Sequence, residues 1–291
     1  MWQAYEMPTS VNEALDILAS YDGQAQLIAG GTDLVIEFQE GTHSAECLVD
    51  VTRIPDLDFI EEQDDQIVMG ANVTFREIKD SPLLQTQARV LPEAAATVGA
   101  LQIQSVATLA GNIVSSLPAA DGCVALIALD AEALVVSGDG SAWRPVEELF
   151  LGPGRSAVDP TREMITHVRI PQAGSRHGSA WERIGRRRAL VLPILNCGVS
   201  LALDETGQNL DWVRIGLGPV SPVPFRARKT EAFLAGRPTA EETYDEAGDV
   251  VAEEANPRTS RLRASREYRL EVLKVLLRQG LARAVTQAQD A

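Results

Sequence analysis

Two short stretches set small residues directly after an apolar run: Leu27-Ile28-Ala29-Gly30-Gly31-Thr32-Asp33-Leu34 and Val106-Ala107-Thr108-Leu109-Ala110-Gly111-Asn112-Ile113. Glycine lets a backbone approach a ligand closely, and consecutive turn N–H groups make a concave anion site. The Thr and Asn side chains add hydrogen bonds. Either turn alone reads as a structural turn, whereas two together suit the diphosphate of a dinucleotide. Neither fits the P-loop GxxxxGK[ST] or the Rossmann GxGxxG. Gly152-Pro153-Gly154 and Gly216-Leu217-Gly218 have Rossmann-like spacing but are rejected, because no helix starts where a diphosphate would sit and a proline lies within or just after each.

Other chemistries find little support. Cys47, Cys123 and Cys197 lie more than seventy residues apart, and His43, His167 and His177 are equally scattered. Nothing is spaced to hold zinc or an iron–sulfur cluster from this chain alone. A GxSxG elbow is absent, and a nucleophile–base pair cannot be proposed by spacing. The 26 Lys and Arg against 41 Asp and Glu give a net charge of −15. That sign excludes a general nucleic-acid or anionic-membrane binder, since such binding needs a basic face. It also means that any bound phosphate must be offset locally.

The 291 residues, 45% hydrophobic and 23% charged, lie in the globular range and suffice for two domains. The amino terminus lacks a basic region followed by an apolar stretch, and no run nears the roughly 18 apolar residues of a membrane span. A soluble cytoplasmic protein is expected.

The elements that must position the two turns follow from periodicity. Ser10 and Glu13 form a candidate capping box before Val11, Ala14, Leu15 and Leu18 at helical spacing. Leu27 to Ala29, Val35 to Phe38 and Cys47 to Val51 read as strands, and Phe59-Ile60 pairs with Gln66 to Met69 as a hairpin. Pro82 to Ala100 reads as one helix, Val106 to Ile113 as a strand interrupted by Gly111, Pro118 to Leu129 as a helix and Ala133 to Val136 as a strand. Asp121 in the first turn of its helix has a plain capping role. The stretch Pro171 to Ser179 marks a domain boundary. Beyond it come strands Ala180 to Ile184, Leu195 to Leu203 and Leu210 to Leu217. Two helices follow: an acidic one over Thr239 to Glu254, read as a solvated face, and an amphipathic one from Ser265 to about Gln287 with Leu273, Leu276, Leu277 and Leu281 on one side.

With their flanks, the two turns resemble the FAD-binding medium subunit of the molybdenum hydroxylases, the group of carbon monoxide, nicotinate, hydroxybenzoyl-CoA and xanthine dehydrogenases. Ile28 to Leu34 is similar to that family's AGGTDL-type motif. Thr108 to Asn112, continuing through Ser115-Ser116-Leu117-Pro118-Ala119-Ala120-Asp121 to Leu126-Ile127-Ala128-Leu129-Asp130-Ala131, is similar to its TIGGN…SPxAD…LLALDA segment. Phe150 to Arg155, Glu163 and Ile170-Pro171 resemble the end of the flavin domain. Ile215 to Val220, Pro224 to Ala227 and Arg263 to Arg269 resemble the carboxy-terminal domain.

The resemblance implies an α+β protein. Its vanillyl-alcohol-oxidase-like (PCMH-type) FAD domain of two α/β lobes would occupy residues 1–174, and a domain with a three-stranded antiparallel sheet and helices residues 175–291. It implies that the backbones of Ile28, Ala29, Gly30, Gly31, Thr32, Asp33 and Leu34, and of Ala107, Thr108, Ala110, Gly111 and Asn112, hold the FAD diphosphate. Asn112 and Ser115 would bond near it, and Asp121 would reach the adenosine. Val98 and Gly99 would contact the cofactor from the preceding helix, Val158 would pack on the isoalloxazine, and Arg183 would stand near the flavin. No catalytic or metal-binding side chain is implied.

Some positions depart from the pattern. Ala110 replaces a glycine, which is tolerable at negative φ; Gln104 stands where Arg is common; and Arg183 replaces a frequent Lys. Arg188-Ala189-Leu190-Val191 replaces an Asp-containing stretch. Arg176, Arg183, Arg186, Arg187 and Arg188 form a dense basic cluster, either a solvated loop or a surface facing a partner subunit or the reduced flavin.

The implied function is electron transfer. A partner with a molybdenum cofactor would oxidise the substrate, a small [2Fe-2S] subunit would relay electrons, and FAD here would pass them to an external acceptor, in a dimer of heterotrimers. The rival readings are a self-contained FAD oxidoreductase and a structural subunit whose flavin site has decayed.

Overall fold

The computed structural model describes residues 2–187, 189–261 and 263–290. Of the basic cluster, Arg188 lies outside the described residues. The chain opens with a three-stranded parallel sheet in the order β1 (Ala4–Glu6), β3 (Cys47–Asp50), β2 (Ala25–Ile28). Helix α1 (Val11–Ser20) connects its first two strands. The expected capping box forms by half: Ser10 Oγ accepts from the Glu13 N–H at 3.2 Å, but the Glu13 carboxylate accepts from the Thr9 N–H at 2.7 Å.

The run Val35 to Phe38 is not a strand. It lies in α2 (Leu34–Glu40), where the Val35 N–H closes a turn on Gly31 O at 3.0 Å and left-handed Gly41 ends the helix. A short apolar run has no inherent period, and the flanking glycines decide it.

A second, antiparallel sheet has the order β4 (Ile60–Gln63), β5 (Gln66–Gly70), β10 (Glu163–Pro171), β6 (Glu132–Ser137), β7 (Gly140–Pro145). Between β5 and β6 come α3 (Phe75–Asp80), α4 (Pro82–Gln87), α5 (Val90–Ala95), α6 (Leu101–Gln104), α7 (Leu109–Ser115) and α8 (Asp121–Ala128). The single helix expected over Pro82 to Ala100 is therefore broken. Pro92 is tolerated only in a first turn, so α5 must start afresh just before it, and Gly99 at φ +49° ends the segment. A small hairpin, β8 (Phe150–Gly152) with β9 (Arg155–Ser156), follows β7.

The carboxy-terminal sheet is antiparallel, in the order β11 (His177–Ile184), β12 (Leu195–Leu203), β13 (Leu210–Gly218), β14 (Phe225–Arg226). It has four strands where three were expected. The fourth is two residues beside Pro222 and Pro224, which hide it from any periodicity, and it is held by pairing with Gly216 and Leu217. Helices α9 (Arg228–Leu234), α10 (Glu241–Glu254) and α11 (Arg266–Asp290) complete the chain. Helix α10 is only partly the solvated face expected: Tyr244, Ala247 and Val251 are buried, and Asp249 and Asp245 meet Lys274 and Arg278 of α11 at 2.9 and 3.3 Å. Among the described residues no helix is long and apolar enough to cross a membrane.

Two apolar cores result, one under the first two sheets and one between the third sheet and α10–α11. Helix α8 lies at their seam with all eight of its residues buried. Its backbone touches the third sheet: a Cβ added to Gly216 would sit 2.2 Å from Val124 O.

Candidate cofactor-binding site

The first glycine turn joins β2 to α2. Gly31 has φ +65°, a conformation that favours glycine, while Gly30 is required by crowding, since a Cβ there would lie 1.9 Å from Val106 O. That carbonyl belongs to the approach to the second turn, so the two turns touch backbone to backbone. The N–H groups of Gly30, Gly31, Thr32, Asp33 and Leu34 make no hydrogen bond to other described residues. A row of free donors at the start of a helix is the arrangement that receives a diphosphate.

The second turn is not the interrupted strand that was expected; it is the start of α7. Thr108 caps it, accepting from the Gly111 N–H at 3.1 Å, and is itself pinned in a bridge to Thr74. Ala110 lies inside this helix and outside the left-handed region, so no glycine is needed there. The first turn is also tied to the end of α7: the Ser115 hydroxyl donates to the Asp33 carboxylate at 2.8 Å. Ser116, left-handed at φ +50°, donates to Gly152 O at 3.2 Å and Arg155 O at 3.0 Å and so holds the β8–β9 hairpin against α7. Asn112 points back to α8, where Cys123 Sγ lies 3.5 Å from its Oδ1.

A third cluster closes one side. Asp121, 7% exposed at the start of α8, accepts from Arg183 Nε at 3.3 Å and from Asn196 Nδ2 at 2.6 Å. Burial pushes its carboxyl up to about 6, against the lowering pull of Arg183, Asn196 and the Thr97 hydroxyl. Arg183 Nη2 also donates to Val191 O at 2.5 Å, and the Leu190 N–H donates to Gly99 O at 3.0 Å. These bonds lay the loop after β11 over the Val98–Gly99 turn. Gln104, buried, donates to Ala96 O and Val98 O at 3.2 and 2.9 Å and props the same turn from inside.

The structure thus gathers Ile28 to Leu34, Ala107 to Asn112 and Ser115 in one place and joins Val98, Gly99, Asp121 and Arg183 beside them. Val158 stands apart: it is 1% exposed within the first core, so its side chain presents no surface to a flavin ring. The basic cluster disperses. Arg183 is buried against Asp121, Arg187 donates to Leu190 O at 3.1 Å, and Arg176 lines an open cleft of about 620 Å³ with Gly207 and Gln289, on the carboxy-terminal half.

The sequence gives no sign of Asn196, a single polar residue in an apolar strand, and shows Ser116 within a motif but not its hold on the β8–β9 hairpin. It displays Gly216-Leu217-Gly218 without showing that these glycines receive α8.

The donor set fits a dinucleotide. Free backbone N–H groups and a hydroxyl suit a diphosphate, and the exposed apolar side chains of Ile36, Leu101, Val106, Leu117 and Leu151 belong to the segments that frame the turns.

Known proteins share this architecture. Residues 2–173 match the FAD binding domain in molybdopterin dehydrogenase, and residues 181–284 match the CO dehydrogenase flavoprotein C-terminal domain. The chain is 30% identical to the nicotinate dehydrogenase FAD-subunit of Eubacterium barkeri over 82% of its length and 81% of that subunit. It is 26% identical to a xanthine dehydrogenase FAD-binding subunit of Escherichia coli, covering 98% of this chain and 97% of that one. The fold superposes on carbon monoxide dehydrogenase from Hydrogenophaga pseudoflava with a TM-score of 0.92 at 26% identity, covering 99% of this chain and 98% of that chain.

Proposed function

We propose, from the premise that this chain belongs to the family of FAD-binding medium subunits of molybdopterin dehydrogenases, that it binds one FAD across its two glycine turns and relays electrons within a multi-subunit enzyme. The donor would be a small [2Fe-2S] subunit, served in turn by a large subunit carrying the molybdenum cofactor, and the electrons would leave to an external acceptor. The observation that carries this reading is the row of unpaired N–H groups from Gly30 to Leu34, bound through Asp33 and Ser115 to the last turn of α7.

In this reading the parallel sheet and the antiparallel five-stranded sheet are the two lobes of a vanillyl-alcohol-oxidase-like (PCMH-type) domain over residues 1–174, and residues 175–291 form the second domain. FAD supplies a store for two electrons when bound. The free N–H groups of Gly30 to Leu34, joined from the second turn by those of Thr108 and Ala110, hold the diphosphate and offset its charge, which a chain of net charge −15 must do with local dipoles, while the Ala107, Gly111 and Asn112 N–H groups are spent on shaping the second turn. Ser115 keeps Asp33 turned aside by donating to its carboxylate. Asp121 orients the adenosine from a carboxylate already fixed by Arg183 and Asn196, and Val98 and Gly99 cover it from the α5–α6 turn. Val158, sealed within the first core, supports the lobe rather than touching the flavin.

The experiment is reconstitution of the purified chain with FAD, followed by visible absorption and by co-purification of iron and molybdenum from the native cell. About one bound flavin per chain, together with both metals on partner subunits, supports the relay. A colourless chain that takes up no flavin overturns it, and a flavin reduced by a small substrate in the chain alone replaces it with a self-contained oxidoreductase.

A further inference from the structure

The segment after α10 carries Arg258, Arg261, Arg263, Arg266 and Arg269 within twelve residues, ending in the first turn of α11. Among the described residues none of the five forms an ion pair. Arginines elsewhere do find carboxylates: Arg183 on Asp121, Arg226 on Asp130 and Glu231, and Arg283 on Glu93 and Glu182.

Arg269 is the anomaly at the centre. It is 2% exposed, its Nη1 donates to Pro219 O at 3.3 Å, and its buried Nε has no partner. Burial disfavours its cation, and the charges of Arg263 and Arg258 push the same way. The helix adds to the strain, because the first turn of α11 is its positive end and anions, not cations, are stabilised there. Glu267, the one acidic residue in that turn, is exposed, engaged by a backbone N–H and by Ser265, and attracted by Arg266, so it offers nothing to Arg269.

A guanidinium with an unpaired donor, buried and ringed by like charge, lacks an anion. With Nη1 on Pro219 O and Nε sealed, Nη2 is the donor left to meet an anion, and a charge-assisted bond from it to a carboxylate is a strong one. Exposed Arg258, Arg261 and Arg266 extend the positive surface, and Tyr268, 48% exposed, adds an aromatic face beside it. Arginine and tyrosine together mark the centres of protein interfaces. A second copy of this chain is disfavoured as the occupant, because two chains of charge −15 repel.

We propose that Arg269, framed by Arg258, Arg261, Arg263 and Arg266, seats a carboxylate side chain from an acidic segment of a partner subunit. This rests on the reading of the chain as one subunit of a multi-subunit dehydrogenase. The partner's carboxylate completes the buried charge, and the surrounding arginines steer the segment in.

The test uses the tagged full chain recovered from its native cell over a range of NaCl concentrations, with FAD, iron and molybdenum measured per chain. Two variants are compared with the wild type: Arg261→Glu with Arg266→Glu, and Arg269→Met. In the double variant iron and molybdenum per chain should fall about tenfold or more at equal salt while FAD per chain stays unchanged. Arg269→Met should lose partners too, yet leave the isolated chain at least as heat-stable, because it removes an unpaired buried charge.

Unchanged metal recovery in both variants overturns the proposal. So does an isolated Arg269→Met chain that melts earlier, which assigns Arg269 a purely structural role. Inorganic phosphate that stabilises the isolated wild type but not Arg269→Met makes the site one for a small anion, and a wild-type dimer that the double variant turns into a monomer makes the occupant a second copy; either result also overturns it. A wild-type chain that brings down neither metal overturns the functional reading itself, and the docking with it.

Discussion

The two ends of helix α8 are built from the same parts and behave differently. Each carries an aspartate, Asp121 at the start and Asp130 just past the end, and each aspartate is met by arginine from the carboxy-terminal sheet. Asp121 has one arginine and one amide, all sealed from water, with side-chain exposures of 7% for Asp121 and 8% for Arg183. Asp130, left-handed at φ +51°, has Arg214 and Arg226 and stays 29% exposed, while Arg226 goes on to Glu231 at 2.9 Å.

The helix dipole favours a carboxylate at the first end and opposes it at the second. Yet it is the favoured end whose carboxyl is pushed up to about 6. Loss of water there outweighs the dipole, the arginine and the amide together. A buried ion pair fixes geometry without being a strong source of stability, and removing one partner strands the other.

Arg183→Met removes the cation at the sealed end and strands Asp121. It should cost about 3–5 kcal/mol in urea unfolding, and adding Asp121→Asn should recover part of that loss. An equal loss from Arg214→Met at the other end would show that burial is not what separates the two.

A pH series comes next in size. The folded carboxyl of Asp121, raised from 3.8 to about 6, still holds a proton that the unfolded chain has released. Its stabilising contribution is therefore full below pH 4 and lost as pH rises through 6. The gap of 6 − 3.8 corresponds to roughly 3 kcal/mol between wild type and Asp121→Asn across that window. Parallel curves for the two proteins would remove the basis of the contrast.

Gly216→Ala tests whether the middle of the helix outranks both ends. With Val124 O only 2.2 Å from the new Cβ, backbone must shift, at about 1–3 kcal/mol. The smallest effect should come from Asp130→Asn, about 1 kcal/mol or less, since its pairs lie at a wet rim. A larger loss would place Asp130 with Asp121 rather than opposite it.

The amino-acid order revealed the hairpin at β4–β5, the long strands β12 and β13 and the helix α11, because each carries enough residues for a period to show. Val35 to Phe38 and Val106 to Ile113 misled for one reason. In both, the apolar run is shorter than the difference between a strand and two helical turns, and capping by Thr108 or closure onto Gly31 decides the outcome. The two turns were legible as a pair, but their contact through Gly30 and Val106, and through Asp33 and Ser115, joins residues more than seventy apart and leaves no local mark. Asn196 was illegible because a buried amide looks like any polar residue in a strand. The arginines before α11 were in plain view, and what no sequence shows is that Arg269 goes inside while its neighbours stay out.

The bare contact of Gly216 on α8 bears on how the molecule transmits force. Side chains at a seam can swap rotamers and let two bodies slide, but a carbonyl resting on a Cα has no second well to occupy. Helix α8 is therefore a keyed shaft between the two halves. In its first turn the helix sets Cys123 3.5 Å from Asn112, so the third sheet and the second glycine turn take their positions from one rigid element.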